Sequence, residues 1–204
     1  MGGGEVLHYL LSTDPSLSPK PQIAGLLLES PLVGLHPDTQ PNTITVMAGR
    51  MVARLMPHRQ MKQDLDAAYM SRSEKVRRDW VDDPLCHDTG TLEGLAAMLD
   101  RSGSLIALSN GQQVTGLTNQ LPCPIWLAHG DGDKVNAFED SKRLCDALVV
   151  EGGDKEFKNY PGGYHKLHCE PEGIGEQFTR DAGEWMLKRA RKETNDVDEA
   201  RPKL

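Results

Sequence analysis

Apolar and polar positions along the chain fall into two regimes. Ile23-Ala24-Gly25-Leu26-Leu27-Leu28 is a continuous apolar run, the pattern of a strand buried on both faces of a parallel sheet. Cys123–Ala128 is a second such run, and Lys155–Tyr160 alternates as a third strand that Pro161-Gly162-Gly163 ends. Pro31–Leu35 is a further strand-sized apolar run. Between the second and third strands, residues 136–149 place Phe138, Cys145, Leu148 and Val149 on one face of a predicted helix. A last helix over 174–192 presents Phe178, Ala182, Trp185 and Met186 at i, i+4, i+7 and i+8. The opening segment, residues 4–12, spaces Val6, Tyr9 and Leu10 as one more helix face.

Residues 36–118 break this rhythm. Short amphipathic helices alternate there with Pro, Arg and Met, and nothing reads clearly as a strand. Thr43–Met56 gives the clearest helix, with Ile44, Met47, Met51, Val52, Leu55 and Met56 on a broad apolar face and Pro57 ending it. The Arg72–Arg78 cluster reads as a solvated helix face. Strand–helix alternation interrupted by a helical insertion predicts an α/β fold, an open sheet carrying a cap. The division expected is a core of residues 1–35 and 119–192, a helical cap of 36–118, and a flexible charged tail of 193–204.

Composition narrows the classes. The 204 residues suffice for one domain, and the hydrophobic share of 38% becomes roughly 46% once Gly is counted and Tyr left out, inside the ~45–50% of globular chains. A net charge of −7 provides no basic field for nucleic acid, so none is expected as a partner. Cys86, Cys123, Cys145 and Cys169 stand far apart with no CxxC pair, arguing against a disulfide framework or zinc ribbon and for a reducing, cytoplasmic setting. No run approaches the ~20 apolar residues of a membrane span. The first residues lack the basic-then-apolar order of a signal peptide.

Open α/β sheets bind ligands at the carboxyl ends of their strands. Asp131 and Asp133 follow the Cys123–Ala128 strand in a turn with Gly130 and Gly132, and His165 lies five residues past Tyr160. An acid and a histidine on successive strand ends suit an acid–imidazole pair, in which the carboxylate fixes the ring's tautomer and the ring moves protons. Singly, each residue reads as a turn Asp or a structural His. Their joint placement favours chemistry.

Leu127-Ala-His-Gly-Asp-Gly-Asp-Lys-Val135 and Tyr160-Pro-Gly-Gly-Tyr-His165 resemble the acid and histidine motifs of the monoacylglycerol lipases, serine hydrolases of the α/β-hydrolase fold often filed under a serine aminopeptidase domain name. The Glu29-Ser-Pro-Leu segment and Asp83-Pro84-Leu85 are similar to that family's sixth strand and cap motif, and the likeness, closest to fungal members, runs from Met1 to about Arg189. The resemblance implies Asp133 as the catalytic acid, His165 as the catalytic histidine and Asp131 as a turn residue. It implies a partial α/β-hydrolase fold, the carboxy-terminal strands with their helices and a cap. Within that frame the Thr43–Met56 helix has two readings of equal weight. It packs on its neighbours, or it is a gate in which Ile44, Met47, Met51 and Leu55 meet acyl chains and Arg50 and Arg54 meet lipid headgroups.

One departure decides the expected activity. The family's nucleophile sits in a GxSxG elbow, and these 204 residues contain none. The opening Met1-Gly2-Gly3-Gly4 reads as a cut directly after the serine, with Met1 a remnant of the oxyanion hole. Ser30, Ser104, Ser109 and Cys169 lack an elbow context, and His165, His168, Cys169, Cys86 and His87 match no standard zinc spacing. The expectation is therefore part of a monoacylglycerol lipase-like hydrolase, catalytically silent as written, with a lipid ester as substrate and no metal or organic cofactor. Peripheral contact with a membrane or lipid-droplet surface would run through the cap. A related esterase, lysophospholipase or peptidase, and a non-catalytic lipid- or partner-binding fragment, stay open as alternatives.

Overall fold

The computed structural model describes residues 1–199, with side chains through Ala190. Its central sheet has three parallel strands, β1 (Leu26–Glu29), β5 (Ile125–Gly130) and β7 (Lys155–Tyr160), in the order β1-β5-β7. Leu28 lies opposite Leu127, and Leu127 opposite Phe157. Helices α1 (Gly2–Leu11), α2 (Thr43–Leu55), α3 (Glu74–Asp82), α4 (Leu92–Ser109), α5 (Phe138–Ala147) and α6 (Ile174–Glu199) surround it. Two small ladders lie beside it: β2 (Gln60–Lys62) antiparallel to β3 (Thr89–Thr91), and β4 (Gln120–Leu121) parallel to β6 (Val149–Val150). The mixed α/β class and parallel sheet agree with the expectation.

Strand β5 organises the core because every one of its residues is buried. Ile125 and Leu127 face a cluster with Leu7, Leu10 and Leu11 of α1, Leu105 and Leu108 of α4, and Leu144 and Cys145 of α5. Trp126 and Ala128 face the opposite layer, formed by Tyr160, Leu167 and the α6 residues Phe178, Ala182 and Trp185. This two-sided burial is what a continuous apolar run requires, since period-two alternation sends successive side chains to opposite faces.

Several boundaries differ from the expected ones, each for a physical reason. Helix α1 buries Leu7, Leu10 and Leu11, and Val6 is exposed. Both triplets have the same i, i+3, i+4 spacing, and the more apolar one wins the core. Strand β1 begins at Leu26, leaving Ile23 exposed, and residues 31–35 form a loop that nonetheless buries Leu32 and Val33. Val149 and Met186 face solvent. The β2–β3 pair, absent from the sequence reading, has no buried residue on β2, so it carries no alternation to detect.

Helix α4 begins at a Thr91 cap that accepts the Gly94 N–H and runs 18 residues, with its second half in the core beside Val33, whose carbonyl accepts the Ser102 hydroxyl at 2.7 Å. Helix α6 continues to Glu199, past the predicted end at 192. The rest of the expected charged tail, residues 200–204, lies outside the described residues.

Candidate active site

The loop from β5 into α5 carries Asp131 and Asp133. Gly130 closes the strand where a Cβ would stand 2.1 Å from the Gly163 carbonyl oxygen, so only glycine allows the β5 and β7 loops to meet. Gly132 N–H donates to that carbonyl at 3.0 Å. Asp131 adds a second strap, its carboxylate accepting the Gly162 N–H at 2.6 Å and the Asn159 side-chain amide at 3.1 Å. Gly162, at φ 71°, makes the left-handed turn that brings the chain back toward β5.

Asp133 is buried and saturated with donors. Its Oδ1 accepts the Val135 and Asn136 N–H groups at 2.7 and 3.1 Å. Its Oδ2 faces His165 Nδ1 at 2.9 Å and His129 Nε2 at 3.0 Å. Burial pushes this carboxyl's pKa up, but the hydrogen bonds from His129 and His165 and the nearness of both rings outweigh it, holding Asp133 well below the usual carboxylate range. An ionised Asp133 makes His165 Nδ1 the proton-bearing nitrogen and leaves Nε2 to exchange protons with a substrate or nucleophile.

His165 opens onto a cavity of about 620 Å³, within the ~300–1,000 Å³ of small-ligand sites. Leu32, Leu35, Val46, Leu92, Leu95 and Leu99 give it apolar wall, and Met1, Asn136 and Arg50 line it too. Met1 is the N-cap of α1, so a helix N-terminus and the histidine border one space. A larger cleft of about 1450 Å³ lies at the other end of the strands, near Ala24 and Cys123, where the Lys20 ammonium is already held by the Leu10 and Ser12 carbonyls at 2.7 and 2.5 Å.

The structure thus brings Asp133, His165 and Met1 to one region. It places the lid candidates elsewhere. Ile44, Met47, Met51 and Leu55 are 80%, 63%, 68% and 85% exposed on the outer face of α2 and are not among the cavity's lining residues, which on α2 are Thr45, Val46, Gly49 and Arg50. Arg50 is ion-paired with Asp100 on α4 and lines the cavity. The Arg72–Arg78 cluster is not simply solvated either, since Arg72 binds Glu170 and Arg77 donates to the Ser71 carbonyl.

Ser30, Ser104 and Ser109 lie away from the cavity wall, and Ser30 precedes Pro31, which has no N–H to offer an oxyanion. His168 is paired to Glu29 at 2.8 Å, and Cys86 stands against Asp83. All four cysteines are free, and burial pushes the Cys145 thiol up to about 11. His129 is the site residue that motif spacing alone did not mark. The available signal was a polar side chain on a wholly buried strand, which needs a partner.

The model of the serine aminopeptidase, S33, family matches residues 1–172. The chain belongs to this family. The S33 chain is 30% identical over 172 residues to the monoacylglycerol lipase of Mycolicibacterium smegmatis, covering 84% of this chain and 55% of that one. It superposes with a TM-score of 0.74 on the monoacylglycerol lipase of Paleococcus ferrophilus, at 25% identity over 92% of this chain and 65% of that one. A soluble variant of the Saccharomyces cerevisiae monoglyceride lipase, solved with a substrate analog, gives 0.76 at 23% identity, covering 92% of this chain and 62% of that one. The fold is that of the α/β-hydrolases. The S33 chain spans about half the length of the curated relatives it matches, 47% and 55% for the first two.

Proposed function

We propose that this chain supplies the acid, the histidine and the cap of a serine hydrolase that cleaves monoacylglycerol esters. The observation carrying the reading is the 2.9 Å contact between Asp133 Oδ2 and His165 Nδ1 at the edge of a largely apolar cavity. The serine belongs to a segment outside these 204 residues, because no GxSxG occurs within them. In the reaction the serine attacks the ester carbonyl while His165 Nε2 takes its proton. Asp133 stabilises the imidazolium, which returns the proton to the leaving glycerol oxygen. Water then repeats the sequence on the acyl-enzyme. Met1, at the positive end of the α1 dipole, is assigned to the oxyanion. The chain on its own is therefore catalytically silent.

The cavity's leucines, which accept an acyl chain, support the lipid reading. The exposed apolar face of α2 favours one addition, peripheral contact with a lipid surface from the cytoplasmic side. No helix among the described residues is long and apolar enough to cross a membrane.

The test is a chimeric protein in which the upstream half of the Mycolicibacterium smegmatis relative precedes this chain, assayed on monoacylglycerol, lysophospholipid and peptide substrates. Monoacylglycerol turnover that disappears with His165→Ala is expected. Turnover indifferent to that change, or a folded chimera that prefers peptide bonds, would overturn the reading. The 204-residue chain alone should resist a fluorophosphonate probe.

A further inference from the structure

The loop that carries His165 is held from the cap side at several points. Lys166 N–H donates to the Met70 carbonyl at 2.9 Å. Four residues on, Glu170 has a fully buried side chain, and both its oxygens are engaged by one cap residue. Oε1 accepts the Arg72 backbone N–H at 2.8 Å, and Oε2 accepts Arg72 Nε at 2.9 Å. Arg72 Nη1 reaches on to Glu172 at 2.9 Å, and Arg77 steadies the same turn through the Ser71 and Arg72 carbonyls at 2.5 and 3.3 Å. Met70 and Ser71 are buried in this seat.

The cap segment that forms the seat also forms the cavity wall. Asp66 and Tyr69 line the cavity, and the very next residues, Met70 to Arg72, grip the histidine loop. The core side of the loop has a different hold, Glu29 at the end of β1 binding His168 Nδ1. A carboxylate placed out of water is tolerated where charge-assisted donors meet it, and Arg72 offers Glu170 two donors, its backbone N–H and its guanidinium Nε. Nothing in the acid–histidine pair itself requires this second anchor.

We infer that Arg72 and Glu170 are positioning residues, a part-buried link through which the cap sets the place of His165 against Asp133. The inference rests on the reading of His165 as the proton-transferring group, but its geometry is open to test in the chain as it stands. Displacement of the cavity wall at Asp66–Tyr69 is transmitted through this link to the histidine, so cap position and histidine alignment are coupled.

The experiment is NMR on the full 204-residue chain, following the His165 Nδ1 proton and its nitrogen. The hydrogen bond to Asp133 gives that proton a downfield, slowly exchanging signal. Glu170→Gln, which keeps the shape but removes the charge, and Arg72→Lys, which keeps the charge but removes the Nε–H donor to Glu170, are each expected to weaken or abolish the signal. Asp154→Asn, which weakens the Arg189–Asp154 pair at the opposite end of β7 from the loop, is expected to leave it intact. A signal that survives both loop-side changes overturns the link alone. Equal loss in Asp154→Asn overturns it as well, since general loosening would then explain the effect. No signal in the unsubstituted chain overturns the acid–histidine reading and the link with it.

A second measurement needs no substitution. Amide exchange should find the Lys166 and Arg72 N–H groups, which join the two segments, protected to a similar degree. Exchange at both as fast as at exposed loop amides overturns the inference.

Discussion

His129 Nε2 lies 3.0 Å from Asp133 Oδ2, the same oxygen that faces His165. His129 is fully buried, its ring sits edge-on to Phe138, and its Nδ1 has no hydrogen-bond partner among the described residues. The ring's one polar contact is therefore through Nε2, which keeps one side of the carboxylate occupied while His165 takes the other. Hydrogen bonds to charged groups contribute about 1.5–3 kcal/mol. His129→Leu should lower the urea-unfolding free energy by about that amount. An unchanged midpoint would mean that the contact adds nothing to the acid's anchoring.

Asp133 also makes acid stability predictable. Its folded pKa lies below its ordinary 3.8, so ionised Asp133 contributes stability that is complete above the unfolded value and is lost as pH falls through the folded one. Thermal melts between pH 6 and pH 2 should show a declining limb below about pH 4. That limb should flatten in Asp133→Asn, and an equally steep decline in the variant would assign acid unfolding to other groups.

Much of this site can be read from the sequence, for reasons local to each part. The apolar run at Cys123–Ala128 becomes β5 because both sheet faces are covered, and glycines around Asp133 and His165 mark loops that must approach closely. His129 is harder to read, since a histidine in a buried strand has no period of its own and shows its role only through its partner. The outer face of α2 is harder still. Helical spacing groups Ile44, Met47, Met51 and Leu55 on one side, but a core and a lipid surface accept the same residues, and only tertiary structure gives the direction. Arg72 illustrates the remaining gap, because its partner Glu170 lies 98 residues away.

The two aspartates of the β5 loop should separate cleanly. Asp131 touches Gly162 and Asn159 but not His165. Asp133→Asn cannot hold the imidazole in its tautomer, and a loss on the order of 10³–10⁴ in kcat is expected in the chimeric hydrolase. Asp131→Asn keeps an acceptor for the Gly162 N–H and should stay within a few-fold of the parent. The opposite ranking would move the acid assignment to Asp131.

Gly130 fixes how the two loops meet. An alanine Cβ there would stand 2.1 Å from the Gly163 carbonyl oxygen, a backbone atom that cannot swing aside. Gly130→Ala should destabilise the fold by about 1–3 kcal/mol and displace the His165 loop. Gly103→Ala, where nothing lies within 4 Å of the added carbon, serves as the contrast and should be neutral or slightly stabilising. Similar melting temperatures for the two variants would show that the β5–β7 loop contact yields without strain.

The outward face of α2 gives the most direct test of lipid contact. Met51 and Leu55 are 68% and 85% exposed, so replacing them with Asp removes little packing, and stability should fall by no more than about 0.5 kcal/mol for each. Membrane partition, in contrast, depends on just such side chains entering the acyl boundary. Co-sedimentation with phosphatidylcholine vesicles should therefore fall several-fold in Met51→Asp/Leu55→Asp, while Arg54→Gln on the same helix changes it little on these uncharged surfaces. If the double variant sediments as the parent does, α2 does not insert and its apolar face has another use. If the parent itself stays in the supernatant at every vesicle concentration, peripheral lipid contact through the cap is excluded for this chain.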